Sequence, residues 1–261
     1  MSAQPSPATS TTAIRQWVLL SGVTVAVAVA IGIGLEQGVE TWRAGTVGPV
    51  VGGAAIGFVA ITAIGWRAIV GARHTDGDEP ITLATWVTVG RGGTVVALAG
   101  FVLIEPPVGQ AAWIPGVLFA VAAGLDAIDG KVARATDSVS ELGRRLDVEM
   151  DSITVLFGAV LAVRYGAVPA AFLVVGLARY AFVVGIHYRR WRHRAVYELD
   201  PRPARRVLGG LAMGAICLAL VPVPGTAVSR FVAALVLVPF LLNFVRDWLV
   251  VSGRHPTVAP D

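Results

Sequence analysis

The sequence predicts an all-α, polytopic membrane helix bundle, and three features carry that expectation. Hydrophobic residues fill 55% of the 261 positions and charged ones only 15%, with a mean hydropathy of +0.71, far too apolar for an ordinary soluble domain. Apolar runs of spanning length recur along the chain, separated by short links of turn residues and charge. The cations gather in those links. A net charge of +4 and a pI near 9.8 would suit nucleic acid, but membrane topology explains this placement better.

Taken in order, residues 1–16 are a Ser/Thr/Pro/Ala tail with one cation, Arg15, and are expected to be disordered. The run 17–35 has the length of a span. Its nearly uncharged flank, and the spans that follow, set it apart from a cleaved signal peptide. A polar link leads to 45–66, rich in the Gly and Ala that let helices approach closely. Residues 17–66 thus read as two N-terminal transmembrane helices. Residues 67–80, RAIVGARHTDGDEP, form the first clear break and are taken as a cytoplasmic linker.

Six further runs follow, near 85–104, 112–135, 140–165, 168–189, 207–223 and 230–251. Each can cross about 30 Å of hydrocarbon at 1.5 Å per residue, the fifth only just. Residues 253–261 remain as a C-terminal tail. Trp17, Trp42, Trp66, Trp113, Trp191 and Trp248 lie near span ends, as an interfacial aromatic belt requires. Arg67, Arg73, Lys131, Arg144, Arg145 and the basic stretch 189–206 fall on one side of this map, against Arg43, Arg164 and Arg230 on the other. The richer side is expected to be cytoplasmic, which puts both termini inside. Cys217, the lone cysteine, reads as a small core residue, and His74, His187, His193 and His255 lack zinc-ligand spacing.

One polar stretch interrupts this chain, DAIDGKVARATDSVSELGRRLDVEMD at 126–151. Asp126, Asp129, Gly130, Ala133, Arg134, Gly143, Asp147 and Asp151 stand in it as D-x2-D-G-x2-A-R-x8-G-x3-D-x3-D. On a helix the first five positions share a face of roughly 140°, and the last three recur at every fourth residue. The simplest geometry is two helices joined by a short turn, with the carboxylates facing one another. Such carboxylates repel and are costly to desolvate unless cations neutralise them. Oxygen ligands with nothing softer nearby point to Mg²⁺ or Mn²⁺. Gly130 and Gly143 let a ligand approach the backbone, and Arg134 offers a fork of donors suited to phosphate. A metal-bound pyrophosphate or phosphate ester is the inferred ligand.

These eight positions and both long gaps resemble the signature of the CDP-alcohol phosphatidyltransferases, integral membrane enzymes of phospholipid synthesis. The resemblance covers about residues 78–252 and implies a six-helix catalytic core (81–252), to which the two leading helices are an addition. It implies two divalent cations held by Asp126, Asp129 and Asp147, with Asp151 as general base while also lying at the metal site. Asp129, Gly130, Ala133, Arg134 and Gly143 would line the CDP pocket. It further implies a CDP-linked lipid donor, a small alcohol acceptor, release of CMP, a homodimer, and a site on the cytoplasmic face of the cell membrane. The bland reading is that the acids cap helices and pair with Lys131, Arg144 and Arg145. Capping, however, needs no fixed 26-residue register.

Four arginines are candidates for substrate phosphate: Arg91, Arg179, Arg205 and Arg206. Arg91 lies in TWVTVGR, similar to the T-x-x-R segment with which the family's core begins, although Thr85 stands where Asn is common. It could equally snorkel to lipid headgroups. Arg179 falls mid-span, where an unpaired guanidinium is expensive, so it faces a carboxylate, a polar cavity or a bound phosphate. The stretch 189–206 reads first as a topological signal attracted to anionic headgroups. Arg205 and Arg206, which lead into the next helix, are kept as contacts for an acceptor's phosphate. A cation transporter or channel is the competing class, because it too places acids in a helical bundle. It would not need the Gly, Ala and Arg positions at fixed offsets.

Overall fold

The computed structural model describes residues 7–38, 46–76, 83–135, 141–199 and 202–254, with side chains described at 12–36, 46–70, 85–125, 142–199 and 202–254. The described residues form eight α-helices: α1 Pro7–Gly38, α2 Val47–Asp76, α3 Leu83–Ala99, α4 Ile114–Ala135, α5 Glu141–Arg164, α6 Leu173–Trp191, α7 Pro203–Leu220 and α8 Thr226–Val251. Among the described residues there is no strand, so the fold is the expected polytopic helical bundle. Among the described residues six stretches are long and apolar enough to cross a membrane: 12–36, 47–70, 85–103, 170–191, 203–220 and 226–251. Eight were expected. In α4 only a shorter apolar part, 109–125, precedes the polar segment, and the first half of α5 carries the charges of 141–151.

Several boundaries also differ from the sequence reading. Helix α1 starts at Pro7, inside the stretch expected to lack order, since proline suits the first helical turn and nothing up to Trp17 breaks a helix. Helix α2 runs on to Asp76, into the expected linker, because RAIVGARH contains only one helix-weakening glycine.

The chain divides into two compact units, residues 1–157 and 158–261. In the first, α3 lies innermost, in contact with α1, α2 and α4. Val95, Leu98, Ala99, Phe101 and Phe119 are essentially inaccessible there. Small residues allow the close crossing. A Cβ on Gly57 of α2 would stand 2.6 Å from the Ala99 Cβ, and one on Gly93 of α3 would stand 2.5 Å from the Val27 Cβ of α1. After Ala99 the helix tightens into a 3₁₀ turn, Gly100–Leu103, and Pro106 and Pro107 prevent its continuation. The leading helices are therefore part of this unit's core. Ala13 and Leu20 of α1, Ala68 and Ile69 of α2, Val89 of α3, and Leu142 and Leu146 of α5 form one buried cluster, with Trp17 packed against it. The Trp17 indole N–H donates to the Thr62 carbonyl at 2.8 Å and its ring meets Trp66 edge-on at 6.1 Å.

In the second unit α8 packs against α6 and α7. The Trp248 ring occupies the notch left by Gly185 and makes an edge contact with Phe182 at 5.8 Å. The α5–α6 turn is held by Arg230, whose Nε and Nη2 donate to the Gly166 carbonyl at 3.2 and 2.9 Å. Gly166 has φ +67°, a conformation that costs glycine little.

Because the α2–α3 crossing leaves no room at Gly57, Gly57→Ala is expected to cost about 1–3 kcal/mol. Ala99→Gly in the same chain removes the opposing methyl and should restore most of the loss, a coupling read from thermal unfolding of the single and double variants. Additive losses would mean the two positions do not touch.

Candidate functional site

Helix α5 is oriented by what it buries. Leu142, Leu146, Met150 and Ile153 recur at helical spacing and are all at most 3% exposed. Burying that stripe fixes the rotation of the helix, so Asp147 and Asp151, four residues apart, lie together on an adjoining face. Gly143 stands one turn before Asp147 on the same face and is half-buried. The Asp147 side chain is 44% exposed. Asp151 is half-buried, and its Oδ1 atom is inaccessible.

Arg91 holds this face from α3. It is 1% exposed, on a helix whose Thr85, Thr88 and Thr94 are buried as well. Its Nη2 donates to the backbone carbonyl of Asp147 at 3.1 Å and lies 3.4 Å from the Asp147 Oδ1. The Met150 side chain, on the next turn, comes within 3.3 Å of the space a Cβ on Gly92 would fill. Arg91, a candidate for substrate phosphate or a lipid headgroup, has a guanidinium that ties α3 to α5 at the first carboxylate of the pair.

Asp126, Asp129, Gly130, Ala133 and Arg134 occupy the last turns of α4, within the helical backbone that ends at Ala135. Their side chains lie outside the described residues. Among the described residues no three acidic, His or Cys side chains converge. The two that the structure places on one face, Asp147 and Asp151, offer oxygen only, the donor chemistry that suits Mg²⁺ or Mn²⁺ and not a softer ion.

The remaining candidates belong to the second unit. Arg179 is half-buried on α6, and Arg206 is exposed on the first turn of α7. Arg205 is engaged with Asp247 of α8: Nε to Oδ2 at 2.7 Å and Nη2 to Oδ1 at 3.2 Å, a fork-to-fork pair. Asn243, one turn back on α8, adds an amide donor to Oδ2 at 3.1 Å. Asp247 is only 8% exposed. Sequence reasoning passed over Asp247 and Asn243, yet a lone acid in an otherwise apolar helix is itself a signal that a cation must lie close by.

Residues 81–249 match the family model described as CDP-alcohol phosphatidyltransferase, well over half of the chain. Cholinephosphotransferase 1 of Xenopus laevis is 52% identical to this chain over 48 residues, 17% of this chain and 12% of that protein. The likeness therefore spans only a small part of that relative's length.

Removing the guanidinium of Arg91 strands a buried crossing. Arg91→Leu is expected to cost about 2–4 kcal/mol, discounted from a fully buried pair because Asp147 is partly exposed. Arg91→Lys should recover only part of it, since an ammonium lacks the fork and reach. Unfolding temperatures of the purified variants check this, and wild-type stability in both would show that the contact is idle.

Proposed function

Since the chain belongs to the CDP-alcohol phosphatidyltransferase family, we propose that it transfers a phosphatidyl-type group from a CDP-linked lipid to an alcohol, releasing CMP, in phospholipid biosynthesis. The observation that carries this reading is the family match over 81–249, which contains the whole eight-position motif. The shared face of Asp147 and Asp151 supports it. In this reading the protein works as a homodimer in the cell membrane, with the motif and both termini on the cytoplasmic side, where a nucleotide-activated substrate is available.

Asp126, Asp129 and Asp147 would hold two divalent cations, Mg²⁺ or Mn²⁺, with Asp151 adjoining them. When bound, such ions neutralise the diphosphate and the charge that builds on the departing CMP. The chain's own residues do the rest. Gly130, Ala133 and Gly143 leave space for CDP along the helix backbones, and Arg134 donates to its phosphates. Asp151 removes the proton from the acceptor hydroxyl. The acceptor oxygen then bonds to the lipid-bearing phosphorus as the bond from that phosphorus to the bridging diphosphate oxygen breaks, and CMP leaves with that oxygen. Holding the two reactants in line supplies much of the acceleration, because an alcohol alone is a poor nucleophile.

The likeness to a cholinephosphotransferase favours one second reading, in which CDP carries the small alcohol and a lipid diol supplies the attacking hydroxyl. Supplying membranes with labelled CDP-lipid and a panel of alcohols, and separately with a CDP-alcohol and diacylglycerol, separates the two by the labelled product. Release of CMP that stops on chelation and returns with Mg²⁺ or Mn²⁺ argues against a cation transporter or channel.

Asp151→Asn is expected to keep Mn²⁺ and CDP binding within about threefold while losing 10²–10⁴ in turnover, the range for general-base catalysis. Near-normal turnover would remove Asp151 from that role. For the acceptor, Arg206→Gln should raise KM for a phosphorylated alcohol without changing KM for the CDP-lipid. Arg205→Gln should instead cost about 1–3 kcal/mol of stability by stranding Asp247. Equal effects of Arg206→Gln on both substrates would exclude it from the acceptor site.

A further inference from the structure

We propose that the surface where α6 ends, formed by Tyr188, Trp191, Arg192 and Arg194, binds the headgroup phosphate of an anionic phospholipid in the surrounding leaflet. The segment 189–194, RRWRHR, holds four arginines and no acid. Arg189 is used to build the loop. Its Nε and Nη2 donate to the Ala195 carbonyl at 3.2 and 2.8 Å, and Nη2 also to the Ser252 carbonyl at 3.1 Å. The Tyr197 N–H donates to the Val251 carbonyl at 3.2 Å. The backbone N–H groups of Arg192, His193 and Arg194 close the end of α6 on Tyr188, Arg190 and Arg189, with His193 reversing the chain at φ 50°. Those amides are committed, so any anion here must be bound by side chains.

The side chains are arranged for that. Trp191, Arg192, His193 and Arg194 line an open concavity of about 500 Å³. The Arg192 guanidinium stands 5.8 Å from the Trp191 ring centre and 6.0 Å from that of Tyr188, two rings that are themselves 6.0 Å apart. Standing over aromatic faces restrains the guanidinium, whose planar fork of N–H donors suits phosphate oxygens. Among the described residues no ion pair neutralises Arg190, Arg192 or Arg194.

The rings decide which phosphate. Trp191 is 71% exposed and Tyr188 52% exposed. They stand at the end of the membrane-crossing stretch 170–191, the level at which tryptophan and tyrosine sit among headgroups. A soluble phosphate would use the arginines and leave the aromatic surface in water. A phospholipid of the leaflet covers both.

The test uses the full chain in phosphatidylcholine nanodiscs in which phosphatidylglycerol is increased stepwise, reading the rise in unfolding temperature. A saturating rise is expected, and free glycerol phosphate in pure phosphatidylcholine should give none. Arg192→Gln with Arg194→Gln should need roughly 25-fold more phosphatidylglycerol for the same rise, about fivefold per arginine, with an unchanged unfolding temperature in pure phosphatidylcholine. Anionic lipid held at the aspartate motif is common to both proteins and cancels. Should the double variant fold poorly, Arg194→Gln alone, away from the stacked rings, should still show the fivefold loss. Identical titrations for wild type and these variants, a rise produced equally by glycerol phosphate, or no rise in the wild type would each overturn the proposal.

Discussion

The contact between Arg91 and Asp147 is the one on which the described part of the motif depends. A guanidinium shut away from solvent on α3 can persist only beside oxygen partners, and the carbonyl and carboxylate of one residue on α5 are among them. The shorter of the two distances, 3.1 Å, is to the backbone. Arg91 therefore fixes where the helix is, more than where the carboxylate points. Once α5 is fixed there, the leucine and methionine stripe behind it determines its rotation, and Asp147 and Asp151 emerge on the same side.

That dependence extends to the two leading helices. Leu142 and Leu146, which set the rotation of α5, are buried among Ala13, Leu20, Ala68 and Ile69, and so α1 and α2 supply the surface against which the carboxylate helix is seated. Tight crossings at Gly57 and Gly93 bring them near enough for that. Packing against the other helices of their unit is the role the geometry displays for them. Cutting or loosening them would be felt through α5 even though neither carries a motif residue.

Much of this was legible in advance, and the reasons differ by element. Hydropathy and length revealed the helical spans because a bilayer demands about 20 apolar residues per crossing, and the acidic motif stood out because its residues are costly anywhere else in such a chain. Helix ends were less visible: Pro7 and the residues beyond Trp66 continue helices that membrane thickness alone would have stopped, since a helix need not end where the hydrocarbon does. Arg91 and Arg205 read as candidates for substrate phosphate, and their contacts within the protein were not visible in the sequence. Their partners, Asp147 and Asp247, lie 56 and 42 residues away, and pairing over that separation is set by how helices pack and not by local spacing.

These two arginine–aspartate pairs also differ in a way that separates structure from chemistry. Asp247 is well supplied: both oxygens accept from Arg205, Asn243 adds a third donor, and the residue is 8% exposed. Three donors around a buried carboxylate suit a structural contact. Asp147 has the opposite balance, with a long 3.4 Å approach to its own arginine and 44% of its side chain exposed. A carboxylate in that position keeps part of its surface in contact with solvent. An arginine–aspartate pair is thus a largely buried clasp in one half of the chain and a partly exposed contact in the other.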